Sequence, residues 1–265
     1  MIICKSPREI ELMRESGKIV ALTFQALKAA LRPGISTLEL DAIAEKTIRA
    51  NGGESAEKNY GADENGEGGF PGTVCISVND TLIHGIPSKK IILKEGDIVS
   101  FDLVVVKNGY MADACRTYAV GEASERAKRL MRVTEEAFWE GFKQAKAGNY
   151  VGDISHAIQK HVEGNGYSSP REFTGHGIGT HMHEDPYIPN QGKEKTGPLL
   201  RVGMTIAVEP MVNEGRSAIR ILPDGWTVKT RDGKLSCHYE NTIAITSEGP
   251  VALTTYEGEE FHVKS

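Results

Sequence analysis

The chain has 265 residues, 39% of them hydrophobic, enough to fill a full core as one large domain or two small ones. A formal net charge of -5 and an isoelectric point of about 5.9 remove any global electrostatic case for nucleic-acid binding. Four dispersed cysteines without a Cys-x-x-Cys pair argue against a zinc finger or disulfide framework, and no apolar run reaches membrane-spanning length.

The first residues, Met1 to Lys5, do not read as a signal peptide, so a cytoplasmic protein is expected. Ser6-Pro7-Arg8-Glu9 is a helix start, with Ser as cap, Pro at the first helical position and Glu three residues after the cap. Ile10, Met13, Val20, Phe24, Leu27 and Leu31 form its apolar stripe, and Arg32-Pro33-Gly34 ends it. Ser36-Thr37-Leu38-Glu39 opens a second helix carrying Leu40, Ile43, Ala44 and Ile48, which stops at Asn51-Gly52-Gly53. Residues 59–72 are a Gly-rich acidic loop, and residues 74–78 a short strand.

Asn108-Gly109, between two runs rich in β-branched and apolar residues, predicts a β-hairpin with a two-residue turn. That turn sets Lys107 opposite Tyr110, Val106 opposite Met111, Val105 opposite Ala112 and Val104 opposite Asp113. Asp102 lies two residues behind Val104, so Asp102 and Asp113 share one face on a diagonal. Two carboxylates on an apolar face repel and lose solvation, so a cation is expected between them.

The plan then repeats. A long helix is expected over about Ser124 to Ala147, and a shorter one capped by Asp153 and ending at Gly164. Strands are expected over Thr205–Val212, Ser217–Leu222 and His238–Thr246. The repeated order of helices, Gly-rich loop and strands reads as a weak duplication, with two similar halves meeting in one sheet. The fold class is therefore α+β, a curved antiparallel sheet backed by helices. With no Pro- or Ser-rich linker, residues 1–265 are read as one catalytic domain.

Three further segments carry candidate ligands. His176 stands between glycines in a stretch whose spacing is not Gly-x-Gly-x-x-Gly. Glu209 ends one apolar strand and Glu240 begins another. Taken singly, each reads as a solvated loop or strand-end residue. Together, four carboxylates and one imidazole suit Mn²⁺, Fe²⁺, Co²⁺ or Zn²⁺ better than a thiolate-type site. Two ions can share four carboxylates if two of them bridge. A close pair of ions acidifies a water and polarises a carbonyl, which is hydrolase chemistry.

The set Asp102, Asp113, His176, Glu209 and Glu240, at intervals of 11, 63, 33 and 31 residues, resembles the type I methionine aminopeptidases, pita-bread-fold metallopeptidases of family M24. The surrounding words are similar too: Cys75-Ile76-Ser77-Val78-Asn79, His84-Gly85-Ile86-Pro87, Val208-Glu209-Pro210-Met211, Asp224-Gly225-Trp226-Thr227 and Tyr239-Glu240-Asn241-Thr242. The resemblance implies removal of the initiator methionine from nascent chains, with a small second residue preferred. It assigns Asp102 to one ion, Asp113 and Glu240 to both, and His176 and Glu209 to the second, with Glu209 also managing protons. It gives His84 a substrate contact and His183 a hydrogen bond to the scissile carbonyl. Cys75, Phe70, Met182 and Trp226 fall where such enzymes line the methionine pocket. Asn79, Thr81 and Ser236 fall where relatives hold a monovalent cation.

Certain features depart from the pattern. Loop 61–69 is longer and more acidic than the resemblance leads one to expect, which bears on the placement of Tyr60 at the pocket rim. His238 stands where Gln is usual, which alters the surroundings of Glu240. The absence of a zinc-finger extension, and of a long insert between His176 and Glu209, fits the short bacterial form. His181 is read as a bystander. Lys89, Lys90 and Lys94 read first as a solvated turn, with a transient ribosome contact as the alternative. A monomer is expected. The competing readings are a prolidase-type peptidase and a metal-free binding protein on the same fold.

Overall fold

The computed structural model describes residues 1–256 and 259. The first half holds α1 (Pro7–Ala30), α2 (Thr37–Ala50), β1 (Glu54–Ser55), β2 (Cys75–Val78), β3 (Thr81–Ile83), β4 (Ile98–Lys107) and β5 (Tyr110–Ala119). The second opens with α3 (Glu125–Gln144), α4 (Val151–Gly164), β6 (Thr174–Gly177) and β7 (Glu184–Pro189). It continues with β8 (Thr205–Val208), β9 (Met211–Asn213), β10 (Ile219–Ile221) and β11 (Val228–Thr230). Last come β12 (Ser236–His238), β13 (Asn241–Thr246) and β14 (Gly249–Ala252).

Local chemistry explains the helix ends. Ser6 Oγ accepts from Glu9 N at 3.3 Å while Ser6 N donates to Glu9 Oε2 at 2.7 Å, and Ser36 and Glu39 repeat the exchange at α2. At α4 the expected cap is displaced. Tyr150 is the cap residue, and Asp153 is the third helical residue, whose carboxylate accepts from Tyr150 N at 2.7 Å.

The hairpin forms in the expected register, from Ile98 opposite Ala119 to Lys107 opposite Tyr110. Asn108 and Gly109 both have positive φ, 52° and 78°, as a turn matching the strand twist requires. β2 pairs with the other edge of β4 and sets Cys75 opposite Asp102. Cys75, Asp102, Val104, Asp113 and Cys115 therefore share one face. The opposite face packs on α1 and α2 through a core that includes Phe24, Leu27, Phe101 and Leu103. A fully buried side chain of this size stabilises the fold by roughly 1.5–3 kcal/mol.

The second half has the same plan. α3 and α4 pack on a five-stranded sheet in the order β14-β13-β8-β6-β7, with Phe138, Ile154, Ile206 and Ile243 in its core. The two halves are joined by a short antiparallel ladder between β3 and β11 and, at β5 and β13, by particular bonds. Thr242 Oγ1 accepts from Asp113 N and donates to Asp113 O, both at 2.9 Å, and Glu240 N donates to Cys115 O at 3.0 Å.

Two expected strands are each broken in two. The first stops at Val208 because Pro210 has no N–H to continue the ladder, and resumes as β9. The second breaks at Tyr239-Glu240, where the chain leaves its pairing with β9 and joins β8. Glu209 and Glu240 occupy these two breaks. The strand expected over residues 217–222 is shorter, Ile219–Ile221. Among the described residues, no helix is long and apolar enough to cross a membrane.

Candidate metal centre and active site

The face shared by Asp102 and Asp113 looks onto the residues between the broken strands. His176 lies on strand β6, opposite Ala207, rather than in a loop. Its Nδ1 donates to Gly177 O at 2.9 Å, which leaves the Nε2 lone pair free. That Nε2 is 3.7 Å from Asp113 Oδ2 and 3.6 Å from Glu209 Oε1. Asp102 and Glu240 line the same cavity and repel one another electrostatically. The five expected donors thus converge: two from the first half of the chain and three from the second.

Their electrostatics call for positive charge. Burial pushes the Asp102 carboxyl up to about 7. Burial, followed by repulsion from neighbouring carboxylates, drives Asp113, Glu209 and Glu240 well above the usual carboxylate range. Burial holds His176 down at about 4, which keeps the imidazole neutral and able to act as a ligand. Among the described residues, Asp113 Oδ1, Glu240 Oε1 and His238 Nε2 are buried without a hydrogen-bond partner. Buried oxygen and nitrogen atoms left without donors or acceptors, on groups that cannot all ionise, fit a pair of divalent ions.

A cavity of about 170 Å³ opens onto these donors. It is smaller than the roughly 300–1,000 Å³ typical of drug-sized sites, so it suits one side chain and the bond beside it. Phe70, Cys75, Met182, Trp226, His84 and His183 all line it. Phe70 and Trp226 meet edge to face at 5.5 Å, and the Trp226 indole N–H donates to Gly68 O at 3.2 Å. His84 has φ of 55°, a strained conformation held by its neighbour. Gly85 N donates to Ser77 Oγ at 3.2 Å, and Gly85 O accepts from Ile76 N at 2.8 Å. A side chain at Gly85 would strike the Ile76 carbonyl oxygen, because its Cβ would fall 2.1 Å away.

Other lining residues were not singled out in the sequence. Glu57 is buried, its Oε2 accepts from Cys75 N at 3.0 Å, and burial with Asp102 and Asp113 nearby pushes its carboxyl well up. Nothing in Ser55-Ala56-Glu57-Lys58 marks it off from an ordinary polar turn. Tyr60, whose place at the rim the unusual loop had put in question, lines the cavity with its hydroxyl 2.7 Å from His183 Nδ1. Phe173 and Thr174 also line the wall. His181 is exposed and outside the cavity, and Lys89, Lys90 and Lys94 are exposed. Ser236 N donates to Asn79 O at 2.8 Å, which brings those two residues together, while Thr81 sits on β3 opposite Lys229. The Asn79 side chain is engaged by Asp97 and by Ile98 N.

The sequence profile of metallopeptidase family M24 matches residues 11–247. The chain belongs to metallopeptidase family M24. It is 51% identical to a methionine aminopeptidase of Clostridium perfringens over 254 residues, 96% of this chain and 99% of that one. It is 49% identical to methionine aminopeptidase 1 of Bacillus subtilis, again over 254 residues and 96% and 99% of the two chains. The crystal structure of a methionine aminopeptidase from Thermotoga maritima superposes with a TM-score of 0.92 at 42% identity, covering 97% of this chain and 100% of that one. A prolidase from Pyrococcus furiosus shares the fold at a TM-score of 0.75 and 24% identity, with 66% of its own chain covered. This M24 enzyme has the pita-bread fold and is a metal-dependent hydrolase, and the carboxylate-rich pocket is chemically suited to divalent ions.

Proposed function

We infer that this M24 enzyme removes the N-terminal methionine from nascent proteins and peptides, preferring a small second residue. The observation that carries the reading is one cavity in which five oxygen and nitrogen donors adjoin a wall of Phe70, Cys75, Met182 and Trp226. A thioether side chain suits an aromatic and sulfur-bearing wall. The small volume rejects bulk by steric clash rather than by lost attraction.

Asp102, Asp113, His176, Glu209 and Glu240 would hold two divalent ions, of Co, Mn, Fe or Zn. These supply an acidified water and polarise the scissile carbonyl. Glu209 takes the proton of the attacking water and returns it to the departing amine. His183 donates a hydrogen bond to the carbonyl oxygen as negative charge gathers there. His84, held in its strained backbone, contacts the amide beside the broken bond. A monovalent cation near Asn79, Thr81 and Ser236 belongs to the same reading and would be held through oxygen ligands, the Asn79 side chain being already engaged. The enzyme would act in the cytoplasm as a monomer, meeting its substrate at the ribosome only transiently.

The test is hydrolysis by the metal-reconstituted protein. Met-Ala-Ser should be cleaved and Ala-Pro spared, and Glu209→Ala should lose about 10²–10⁴-fold in kcat. Asp113→Ala should lose at least as much, with weaker metal binding. Wild-type turnover in both variants, or cleavage of Ala-Pro in preference, would falsify the reading.

A further inference from the structure

We propose that His238 is a second imidazole ligand of the dinuclear centre, donating through Nε2 beside Glu209 and Glu240. The inference rests on the metal centre proposed above and extends its donor set by one residue.

The backbone brings the ring there. β12 pairs with β9 so that His238 lies opposite Met211, two residues beyond Glu209, and His238 itself stands two residues before Glu240. Thr117 locks the strand from the other side, accepting from His238 N at 3.3 Å and donating to His238 O at 2.7 Å. The ring is therefore fixed between the two breaks that carry the glutamates.

The distances match those of the expected histidine ligand. His238 Nε2 is 3.8 Å from Glu209 Oε2 and 3.8 Å from Glu240 Oε2. His176 Nε2 is 3.6 Å from Glu209 Oε1 and 3.7 Å from Asp113 Oδ2. Each oxygen of Glu209 thus faces one imidazole. All these separations exceed a hydrogen bond, whose usual limit is about 3.2 Å. An ion with bonds of about 2.1 Å holds adjacent donors about 3.0–3.4 Å apart, so a slight closure around it would engage both rings alike. Two of the close donor groups share Glu240, namely Asp113, His176 and Glu240, and Glu209, His238 and Glu240, while His238 also groups with Asp102 and Cys115, its Nδ1 4.0 Å from Asp102 Oδ2. Within each group the ligand atoms lie within 4.8 Å of one another. Among the described residues, His238 Nε2 is buried and has no hydrogen-bond partner, a cost that coordination would remove.

A glutamine at this position would offer a harder amide oxygen, whereas imidazole favours Co²⁺, Fe²⁺ and Zn²⁺ over Mn²⁺. The experiment uses full-length protein labelled with ¹⁵N-histidine and saturated with Co²⁺, observed by NMR. Wild type should show two hyperfine-shifted imidazole N–H signals, and His238→Gln should keep one. Calorimetric titration should show Co²⁺ affinity reduced by about 10-fold or more in His238→Gln, with a smaller loss for Mn²⁺. One shifted imidazole in a wild-type protein that binds two Co²⁺ ions would overturn the proposal and leave the metal centre standing. An unchanged pair in His238→Gln would overturn it equally. Absence of Co²⁺ binding would remove the centre itself. The wild-type signal count decides the matter even if the variant folds poorly.

Discussion

The proton on the His183 ring is placed by a neighbour. Tyr60 can donate its hydroxyl proton to His183 Nδ1 over 2.7 Å, which leaves the ring's own proton on Nε2, available to a developing oxyanion. Partial desolvation also lowers the tendency of His183 to charge, which favours the neutral ring. His183→Ala should lower kcat about 10²–10³-fold. Tyr60→Phe should cost less, about 10-fold, because it frees the tautomer without removing the donor. Steady-state kinetics on Met-Ala-Ser separate the two, and a Tyr60→Phe enzyme with unchanged kcat would show that the pair plays no part. At this scale the sequence was uneven. His183, seven residues after His176, drew attention only through the family resemblance, since alone it reads as a surface histidine in a His-rich loop. Tyr60 and Glu57 flank or lie in polar, Gly-rich chain with no periodicity, and only long-range packing turns them inward.

Single contacts at the strand junctions set the positions of the proposed ligands. Thr242 bonds both the N–H and the carbonyl of Asp113, and Arg116 donates to Glu240 O at 2.5 Å and to Asn241 Oδ1 at 2.8 Å. Thr242→Val keeps the shape and leaves two buried backbone groups of Asp113 unpaired. The metal-free protein should lose about 2–4 kcal/mol in urea denaturation. Co²⁺ affinity should fall as well, since Asp113 loses its anchor. Retention of both properties would mean that the junction is held by packing alone. The sequence showed the hairpin fully because a two-residue turn fixes register locally. It did not show the two strand breaks. Pro210 signalled the first, but the second arises when one strand exchanges partners, which no local pattern records. The misplaced cap at α4 has the same origin: an aspartate three residues into a helix offers the same sequence signal as one at its start.

The centre is assembled across the whole molecule. Asp102 and Asp113 come from the first half, and His176, Glu209 and Glu240 from the second, so bound ions would add a staple between the halves beside the β5–β13 bonds and the β3–β11 ladder. The duplication was readable only as an order of elements, because the two halves share a plan rather than a sequence. Their junction gives the protein a pH dependence with a definite sign. In the metal-free fold, burial raises Asp102 to about 7, and burial with repulsion between neighbouring carboxylates drives Asp113, Glu209 and Glu240 well above the usual carboxylate range. In the unfolded chain these groups titrate near about 4. Between those values the folded state binds more protons than the unfolded one, so metal-free stability falls as pH rises. Metal binding runs the other way, since the ions need ionised carboxylates and grow more stabilising as pH rises. The gap in melting temperature between Co²⁺-loaded and chelator-treated protein should therefore widen from about pH 5.5 to about pH 8. At about 100 times Kd the gap should be on the order of 5–10 °C. Differential scanning calorimetry at fixed free Co²⁺ measures it. A gap that stays constant across that range would mean that the four carboxyls carry the same charge in both forms, and that the ions do not offset their repulsion.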